Sequence, residues 1–287
     1  MSQTLLPLAQ WTNEFAQRLE GRPSPVLDTV GHALGSLSDT MQALLGGVSP
    51  AALVAGFAVI GFWRGGWPLA LLASAALAAI EAMGLSAQLR VSLGQTLTAS
   101  VLTVLAGVPL GIWLGTHRWA AKAFRPMLDM MQTMPPFVYL IPAVMVFGLG
   151  PVPALLATVT FALPPVVRMT ALGVSQVPVD VLEAAATLGA TPAQVLLRVK
   201  LPMAVPSVMA GISQSIMMCL SMVIVASMVG AGGLGDEVLS AIQRLDLGQG
   251  VASGLGVVLL AVVVDRIAQS FTSQTARWRF GLKRRDA

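Results

Sequence analysis

The chain has 287 residues, of which 55% are hydrophobic and only 10% are charged. An ordinary soluble domain carries about 25% charged residues, so this composition excludes a soluble domain with a normally charged surface. The charges are also bunched, because residues 91–117, 130–167, 201–235 and 247–264 contain none. Uncharged apolar runs of about 18 residues or more are typical of transmembrane helices. The sequence therefore predicts an all-α polytopic membrane protein, and its net charge of +4 does not indicate a nucleic-acid partner.

Residues 1–48 form the most polar segment of the chain. The first 25 residues contain Glu14 and Glu20 and lack a long apolar core, so we expect no secretory signal there. Apolar residues then recur at helical spacing and predict an amphipathic helix. They are Val26, Val30, Leu34, Leu37, Met41, Leu44 and Leu45. Such a helix lies along the membrane surface or packs against the rest of the protein, and the pattern leaves both possibilities open.

Two short apolar runs follow, at about residues 50–63 and 67–83. They predict a transmembrane hairpin over residues 49–84, with one interrupted span as the alternative. Five cleaner spans come after Arg90, which makes about seven spans with a five-helix core. The five are at about residues 93–115, 127–148, 151–172, 203–229 and 251–271.

Charge bias orients these spans. The loops at 116–126 and 168–200 are basic, and the tail at 276–287 contains Arg277, Arg279, Lys283, Arg284 and Arg285. The positive-inside rule places such segments in the cytoplasm. The turn at 148–153 is neutral, and the connection at 230–250 has three acidic residues against one arginine, so both are predicted outside. Counting back through the hairpin places the N-terminus outside and leaves the C-terminus cytoplasmic.

Pro-Pro pairs occur in two predicted core spans, at residues 135–136 and 164–165. A helix-interior proline frees a carbonyl, which is tolerated in lipid only where protein or a water-lined cavity satisfies it. The pairs therefore predict bent spans, which either line a gate or pathway or are kinked for packing. The candidate pathway residues are Pro135, Pro136, Phe137 and Tyr139, and ordinary helix packing is the alternative for the two aromatic side chains.

Small residues recur every fourth position in the first core span, at Ala99, Thr103, Gly107, Gly111 and Gly115. This small-xxx-small pattern is typical of a helix face that another helix approaches closely. The pattern does not say whether that helix belongs to the same chain or to a second copy.

Signatures of enzymes and metal sites are missing from the sequence. His32, His117 and the single Cys219 are far apart, and no cluster has metal-ligand spacing. No Gly-Lys dipeptide occurs, so the chain has no phosphate-binding P-loop of its own. The middles of the core spans lack ionisable residues, which disfavours a self-contained ion-coupled carrier. The sequence predicts a protein that is not an enzyme and that depends on an external source of energy.

The long connection at 173–202 predicts two short helices around a bend. Pro178 can open the first helix, and Gly189 can end it in a positive-φ conformation. Thr191 begins a capping box for the second helix, which we expect Pro202 to close. The first helix presents an apolar face that docks into a partner's groove or folds back on its own bundle. That face consists of Val181, Leu182, Ala185, Ala186 and Leu188.

This connection resembles the signature of binding-protein-dependent ABC importer permeases, E-A-A-x3-G-x9-[I/V]-x-L-P. Glu183-Ala184-Ala185, Gly189, Val199 and Leu201-Pro202 match it at the right spacing. In that family the segment is a coupling helix that docks onto the ATP-binding subunit. The resemblance thus implies that Glu183, Ala184, Ala185, Gly189, Leu201 and Pro202 are ATPase-coupling residues. Glu183 either forms a salt link to the ATPase or braces the bend locally.

Other segments look like the glycine betaine/proline/choline branch of the family. They are residues 229–235, 245–248 and 265–267, together with 134–136 followed by 139–142. The resemblance covers a permease core at about 85–275 and implies a type I ABC importer transmembrane fold. A permease for methionine or another small solute is the alternative within the class, and a stand-alone secondary carrier is the alternative outside it.

The resemblance also implies partners and a location. Two copies of the chain would form the pore in the bacterial inner membrane, surrounded by lipid, with a solute-binding protein outside. ATP and Mg²⁺ would be bound by the separate ATP-binding subunit, and this chain would bind no cofactor. A quaternary ammonium prefers an aromatic cage, yet no cluster of the aromatic residues lies in one core span. We therefore expect substrate specificity to reside mainly in the solute-binding protein.

Overall fold

The computed structural model of the chain describes residues 25–280, with side chains described for residue 25 and residues 27–271. The regular elements within this part are all helices. The predictions for residues 1–24 and for the basic tail beyond Phe280 lie outside the described residues, as do the side chains of Arg277 and Arg279.

The first seven helices are α1 (Pro25–Gly46), α2 (Pro50–Gly65), α3 (Trp67–Ala82), α4 (Ser86–Thr116), α5 (Arg118–Thr133), α6 (Pro136–Phe147) and α7 (Pro151–Ser175). The C-terminal half contains α8 (Val179–Thr187), α9 (Pro192–Val195), a π-helical turn (Leu196–Lys200), α10 (Leu201–Ala226), a short 3₁₀ turn (Ser227–Val229), α11 (Leu234–Arg244) and α12 (Leu247–Phe280). Helix α7 lies between α4 and α10 and packs extensively against both.

Four helical runs in the described part are long and apolar enough to cross a membrane. They are Ser86–Thr116, Pro151–Ser175, Pro192–Val229 and Leu247–Phe271. Two bent helix pairs, α1 with α2 and α5 with α6, raise the number to six if each pair crosses once. The span predicted at about 67–83 corresponds to α3, whose 16 residues extend for about 24 Å.

Helix α1 packs against the bundle, as one of the two alternatives for the N-terminal helix predicts. Its Gly31 lies beside Phe147 at the end of α6, and its Gly35 lies beside Val152 at the start of α7. Ser38 is only 2% exposed. The face of α1 that packs against the core helices therefore contains Gly31, Gly35 and Ser38, whereas Val30, Leu37 and Leu44 of the predicted apolar face are exposed.

The segment predicted as a bent span at 127–148 is not one continuous helix, because the chain breaks there into two helices at 96° to each other. Met134 and Pro135 are both extended, with ψ of 134° and 142°. Each of these residues precedes a proline, and the proline ring disfavours a helical conformation in the residue before it. Helix α5 is amphipathic and carries Arg118, Lys122, Arg125 and Asp129, so it suits the membrane surface better than the hydrocarbon interior.

The second Pro-Pro pair does not break its helix. Pro164 and Pro165 lie inside the continuous helix α7 and are both buried. The bend expected at this position from the sequence is therefore not a break between two helices.

Candidate functional site

The bend in the long connection, residues 178–200, is here called the elbow. Pro178 precedes α8, and Gly189 follows that helix with φ of +78°, a conformation that glycine adopts without steric strain. The Gly189 N–H donates to the Ala186 carbonyl at 2.9 Å, and the Ala190 N–H donates to the Ala185 carbonyl at 3.1 Å. These bonds close the helix end, so the predicted stop at Gly189 is confirmed.

A capping box begins the second helix of the elbow. The Gln194 backbone N–H donates to Thr191 Oγ1 at 3.4 Å, and the Thr191 N–H donates to Gln194 Oε1 at 2.9 Å. This reciprocal pair satisfies donors that would otherwise lack partners at a helix start. The sequence-based prediction of this cap is confirmed.

Pro202 does not close the elbow, contrary to the prediction. The backbone continues from α9 through the π-helical turn into α10, and Pro202 lies in the first turn of α10. In the π-helical turn the Leu201 N–H donates to the Leu196 carbonyl, five residues back. Pro is tolerated in the first turn of a helix, and the wider turn brings the chain to that position without interruption. The elbow is thus continuous with a membrane-spanning helix.

The elbow consists of exposed and half-buried side chains. No side chain from Pro178 to Lys200 is buried, and Leu188 is 88% exposed. Val179 and Leu197 add further exposed apolar surface. Glu183, Ala184, Gly189 and Pro202 are exposed, whereas Ala185 and Leu201 are half-buried. Among the described residues no donor reaches the Glu183 carboxylate, so the local bracing role has no support in these contacts.

A cavity of about 580 Å³ separates the elbow from the end of α4. Its walls are mostly apolar, with Thr116, His117 and Lys200 as the polar contributors. Leu182, Ala186, Ala190, Pro192, Ala193, Val195 and Leu196 line the rest. The inner face of the elbow is therefore not packed tightly against the bundle.

The four candidate pathway residues do not form one site. Pro135 and Phe137 are exposed and Pro136 is half-buried, whereas Tyr139 is only 9% exposed. The Tyr139 hydroxyl donates to the Met131 carbonyl, and its ring meets the Phe161 ring edge-on at 6.0 Å. The Tyr139 side chain is thus engaged in contacts within the protein.

The small-residue stripe of α4 lies against other helices of the same chain. A Cβ on Gly107 would overlap Val166 of α7, and a Cβ on Gly111 would lie 2.7 Å from the Val167 carbonyl oxygen. A Cβ on Gly115 would lie 2.8 Å from the Ala171 carbonyl oxygen. The glycines therefore permit a close approach of α4 to α7.

The described part of the chain contains no group of three or more His, Cys, Asp or Glu side chains placed to hold a metal ion. One ion pair joins Asp129 of α5 to Arg168 of α7, and both side chains are partly exposed. The contacts described above are those of apolar surfaces and of closely packed helices.

Residues 107–276 match the family described as binding-protein-dependent transport system inner membrane component. The chain is 44% identical over 268 residues to the glycine betaine/proline betaine transport system permease protein ProW of Escherichia coli (strain K12), covering 93% of this chain and 75% of ProW. It is 41% identical to the glycine betaine/carnitine transport permease protein GbuB of Listeria monocytogenes serotype 1/2a (strain 10403S), covering 94% of this chain and 96% of GbuB. The chain belongs to this family.

The permease also shares its fold with solved structures of the inward-facing MetNI methionine ABC transporter. One of them aligns with a TM-score of 0.57 at 22% sequence identity, covering 70% of this chain and 96% of the solved chain. The type I ABC importer transmembrane fold expected from the sequence is confirmed. The permease is an inner membrane component of a transport system.

Two polar residues of the permease were missed in the sequence. The Leu234 N–H donates to Ser92 Oγ at 2.8 Å, and Gln95 Nε2 donates to the Ala231 carbonyl. Both bonds join α4 to the glycine-rich loop at 229–235. The available signal was the spacing of Ser92 and Gln95, because residues three positions apart lie on one helix face.

Proposed function

We propose that this permease forms the membrane-spanning part of an ATP-driven importer for glycine betaine, choline or proline-like solutes. The names of the relatives at about 40% identity support this substrate class, because they are glycine betaine, proline betaine or carnitine permeases. The likeness to the methionine transporter is at 22% identity and supports the fold alone. Membership in a binding-protein-dependent family disfavours the stand-alone carrier.

The elbow is the observation that carries the proposal. It is ordered by local caps and yet buries no side chain from Pro178 to Lys200. An ordered apolar helix on the surface suits a groove in a partner protein. The proposed partner is the ATP-binding subunit, which would hold ATP and Mg²⁺, with Glu183, Ala184, Ala185 and Gly189 in the docking segment.

The continuity of the elbow with α10 supports a path for coupling. The helical run Pro192–Val229 extends from the docking segment into the bundle, where α10 packs against α7. Closure of the ATP-binding subunits would move the elbow, and this run would carry the movement into the membrane. Such coupling requires two global states in which the partners make different contacts.

The remaining partners follow from the same proposal. A second copy of the permease would complete the pore, membrane lipid would cover the outward apolar faces, and a solute-binding protein would dock outside. The C-terminus would then lie in the cytoplasm, as the distribution of basic loops favours, and the N-terminus would lie outside with α3 as a further span.

Substrate specificity is assigned to the solute-binding protein. The rings of Trp113, Trp119 and Phe124 meet edge-on at 5.7 and 5.9 Å between centroids, so they pack on each other and do not enclose a cation. We expect little or no betaine binding by the purified permease in equilibrium dialysis with labelled betaine. Micromolar affinity would contradict this assignment.

The elbow is tested by a series of substitutions at Gly189. No neighbouring atom obstructs a Cβ there, so the only obstacle is the positive φ. A left-handed conformation costs an ordinary residue about 1–2 kcal/mol, and asparagine tolerates it better than valine does. In proteoliposomes containing the whole transporter, we expect Gly189→Val to insert normally and to uncouple ATP hydrolysis from uptake.

The matched control is Gly189→Asn, for which we expect a smaller loss of uptake per ATP hydrolysed. Normal transport by the valine variant would refute the role of the elbow. Co-purification of the permease with the ATP-binding subunit, and loss of uptake when the P-loop lysine of that subunit is replaced, test the partnership itself.

A further inference from the structure

The junction between α5 and α6, residues 131–139, is here called the corner. Its backbone is extended at Met134 and Pro135, and the two helices meet at 96°. The Met134 N–H still donates to the Met130 carbonyl at 3.1 Å, so α5 keeps its regular bonding up to that point. The next two residues are prolines, which have no N–H to donate.

The carbonyl of Met131 therefore lacks its regular partner. In an uninterrupted helix it would accept a bond from the backbone N–H of residue 135, which is Pro135. The Tyr139 hydroxyl donates to this carbonyl instead. Tyr139 is the one tyrosine in the sequence. The hydroxyl supplies the donor that the proline removed, and it does so across the corner, from α6 to α5.

The ring of Tyr139 is fixed in the core. It packs edge-on against Phe161 of α7 and belongs to a buried cluster that includes Met222 and Ala226 of α10. The hydroxyl thus connects the last turn of α5 to a part of α6 that is already held by α7 and α10. The ion pair between Asp129 and Arg168 ties α5 to α7 independently.

The corner angle controls the position of the far end of α6. This helix has 12 residues and is about 18 Å long. A change of about 10° at the corner would therefore displace its far end by about 3 Å. That end lies beside Gly31 of α1, and the loop after it is bonded to the glycine-rich segment, because the Gly150 N–H donates to the Val229 carbonyl at 2.9 Å.

We propose that Tyr139 is a positioning residue for transport, whose hydroxyl sets the angle between α5 and α6 by holding the Met131 carbonyl. This assignment replaces the prediction that Tyr139 lines the pathway, and it rests on the proposed import function. The Tyr139 ring packs in the core, and the Tyr139 hydroxyl fixes the angle between α5 and α6. The two contributions are separable, because Tyr139→Phe removes only the oxygen.

The test uses the whole transporter with its partners in proteoliposomes. Spin labels replace Met130 on α5 and Ile141 on α6, which are 64% and 62% exposed, in a Cys219→Ser background. Ile141 lies about 8 Å along α6 from the corner, so for Tyr139→Phe we expect the distance between the labels to shift by about 1 Å or its distribution to broaden. We also expect betaine uptake to fall about fivefold, which is the factor by which a typical hydrogen bond changes an equilibrium constant.

The matched control is Thr133→Val. Thr133 Oγ1 donates to the Met130 carbonyl at 3.1 Å, so this variant also removes a hydroxyl from the end of α5, but from a bond that does not cross the corner. We expect wild-type distances and uptake for it.

An unchanged distance in Tyr139→Phe would overturn the proposal, whatever the uptake. A changed distance with normal uptake would overturn the role in transport, and equal effects of the two variants would overturn the assignment to the hydroxyl that crosses the corner. Absence of betaine uptake by the wild type would refute the proposed function, and the distance measurement would still confirm or refute the control of the corner.

Discussion

Two Pro-Pro pairs lie in apolar helical segments of this permease and have opposite effects on the backbone. At residues 135–136 the chain turns by 96° between α5 and α6, whereas at 164–165 helix α7 continues without interruption. The local chemistry is the same in both places, because each pair removes two N–H donors and restricts the residues before it. The difference therefore arises from what surrounds each pair.

The continuous pair is enclosed by neighbouring helices. Gly107 of α4 permits contact with Val166, and Gly211 of α10 lies where a Cβ would be 3.2 Å from the Pro165 carbonyl oxygen. The Ser215 hydroxyl of α10 donates to the Ala162 carbonyl just before the pair. A helix packed closely on two sides has little room to bend, so tertiary contacts hold α7 together.

The broken pair is at the surface of the described bundle. Pro135 is exposed, and so are Phe137 and Val138 just after it. Pro135 lacks the enclosure that surrounds Pro164 and Pro165, so the intrinsic preference of the residues before proline prevails there. The comparison shows that a Pro-Pro pair removes two backbone N–H donors, and that the packing around the pair decides whether the helix breaks.

The largest loss of stability is expected from a side chain that forces α4 and α7 apart. A side chain in Gly107→Val would overlap Val166, and overpacking of this kind costs about 3 kcal/mol. We expect a strongly reduced yield of monodisperse protein and a lower thermal unfolding temperature in detergent. Gly254→Val in α12 is the control, because no atom lies within 4 Å of the Cβ position there. Equal behaviour of the two variants would show that the contact does not hold α7.

A smaller loss of stability is expected when the hydrogen bond from α10 to α7 is removed. Ser215→Ala removes the donor to the Ala162 carbonyl, and a typical hydrogen bond contributes about 1 kcal/mol. The thermal unfolding temperature should fall measurably. Ser221→Ala is the control, since its exposed hydroxyl bonds only to Met217 within the same helix. Equal unfolding temperatures of the two variants would show that the bond from Ser215 to Ala162 does not stabilise α7 near Pro164 and Pro165.

The smallest loss of stability is expected from the ion pair between Asp129 and Arg168, close to the helix break at Pro135 and Pro136. Asp129→Asn removes the negative charge from a partly exposed ion pair with Arg168, and such a pair typically contributes about 0.5 kcal/mol. The loss should be measurable by thermal unfolding at low salt and should vanish near 1 M salt, where screening acts over about 3 Å. A loss that persists at high salt would show that Asp129 acts through packing and not through its charge.

The elbow was predictable from the sequence because its structure is local. Pro178, Gly189 and the capping box from Thr191 to Gln194 act within a few residues, and each is found as expected. The prediction failed at Pro202, where a π-helical turn joins the elbow to α10. A proline in the first turn of a helix and a proline after its end look alike in a sequence, because both lack the N–H.

The candidate pathway was less predictable than the elbow. Tyr139 was assigned to the pathway because it follows a Pro-Pro pair, yet its hydroxyl bonds to the Met131 carbonyl and its ring is buried. A bond between residues eight positions apart across a 96° corner has no signature in helical periodicity. Ser92 and Gln95 were missed for a related reason, since their partners lie more than 130 residues away.

The sequence by itself determined the membrane class, the helical composition and the local form of the elbow. These follow from the scarcity and placement of charge and from residues that act on their immediate neighbours. Only the tertiary structure decided which Pro-Pro pair breaks a helix, that α1 packs on the bundle, and that the glycine stripe meets α7. The physical reason is that a proline without an N–H permits a helix break and a glycine without a side chain permits a close helix contact. Whether the break or the contact forms depends on the atoms that surround the residue in the folded chain.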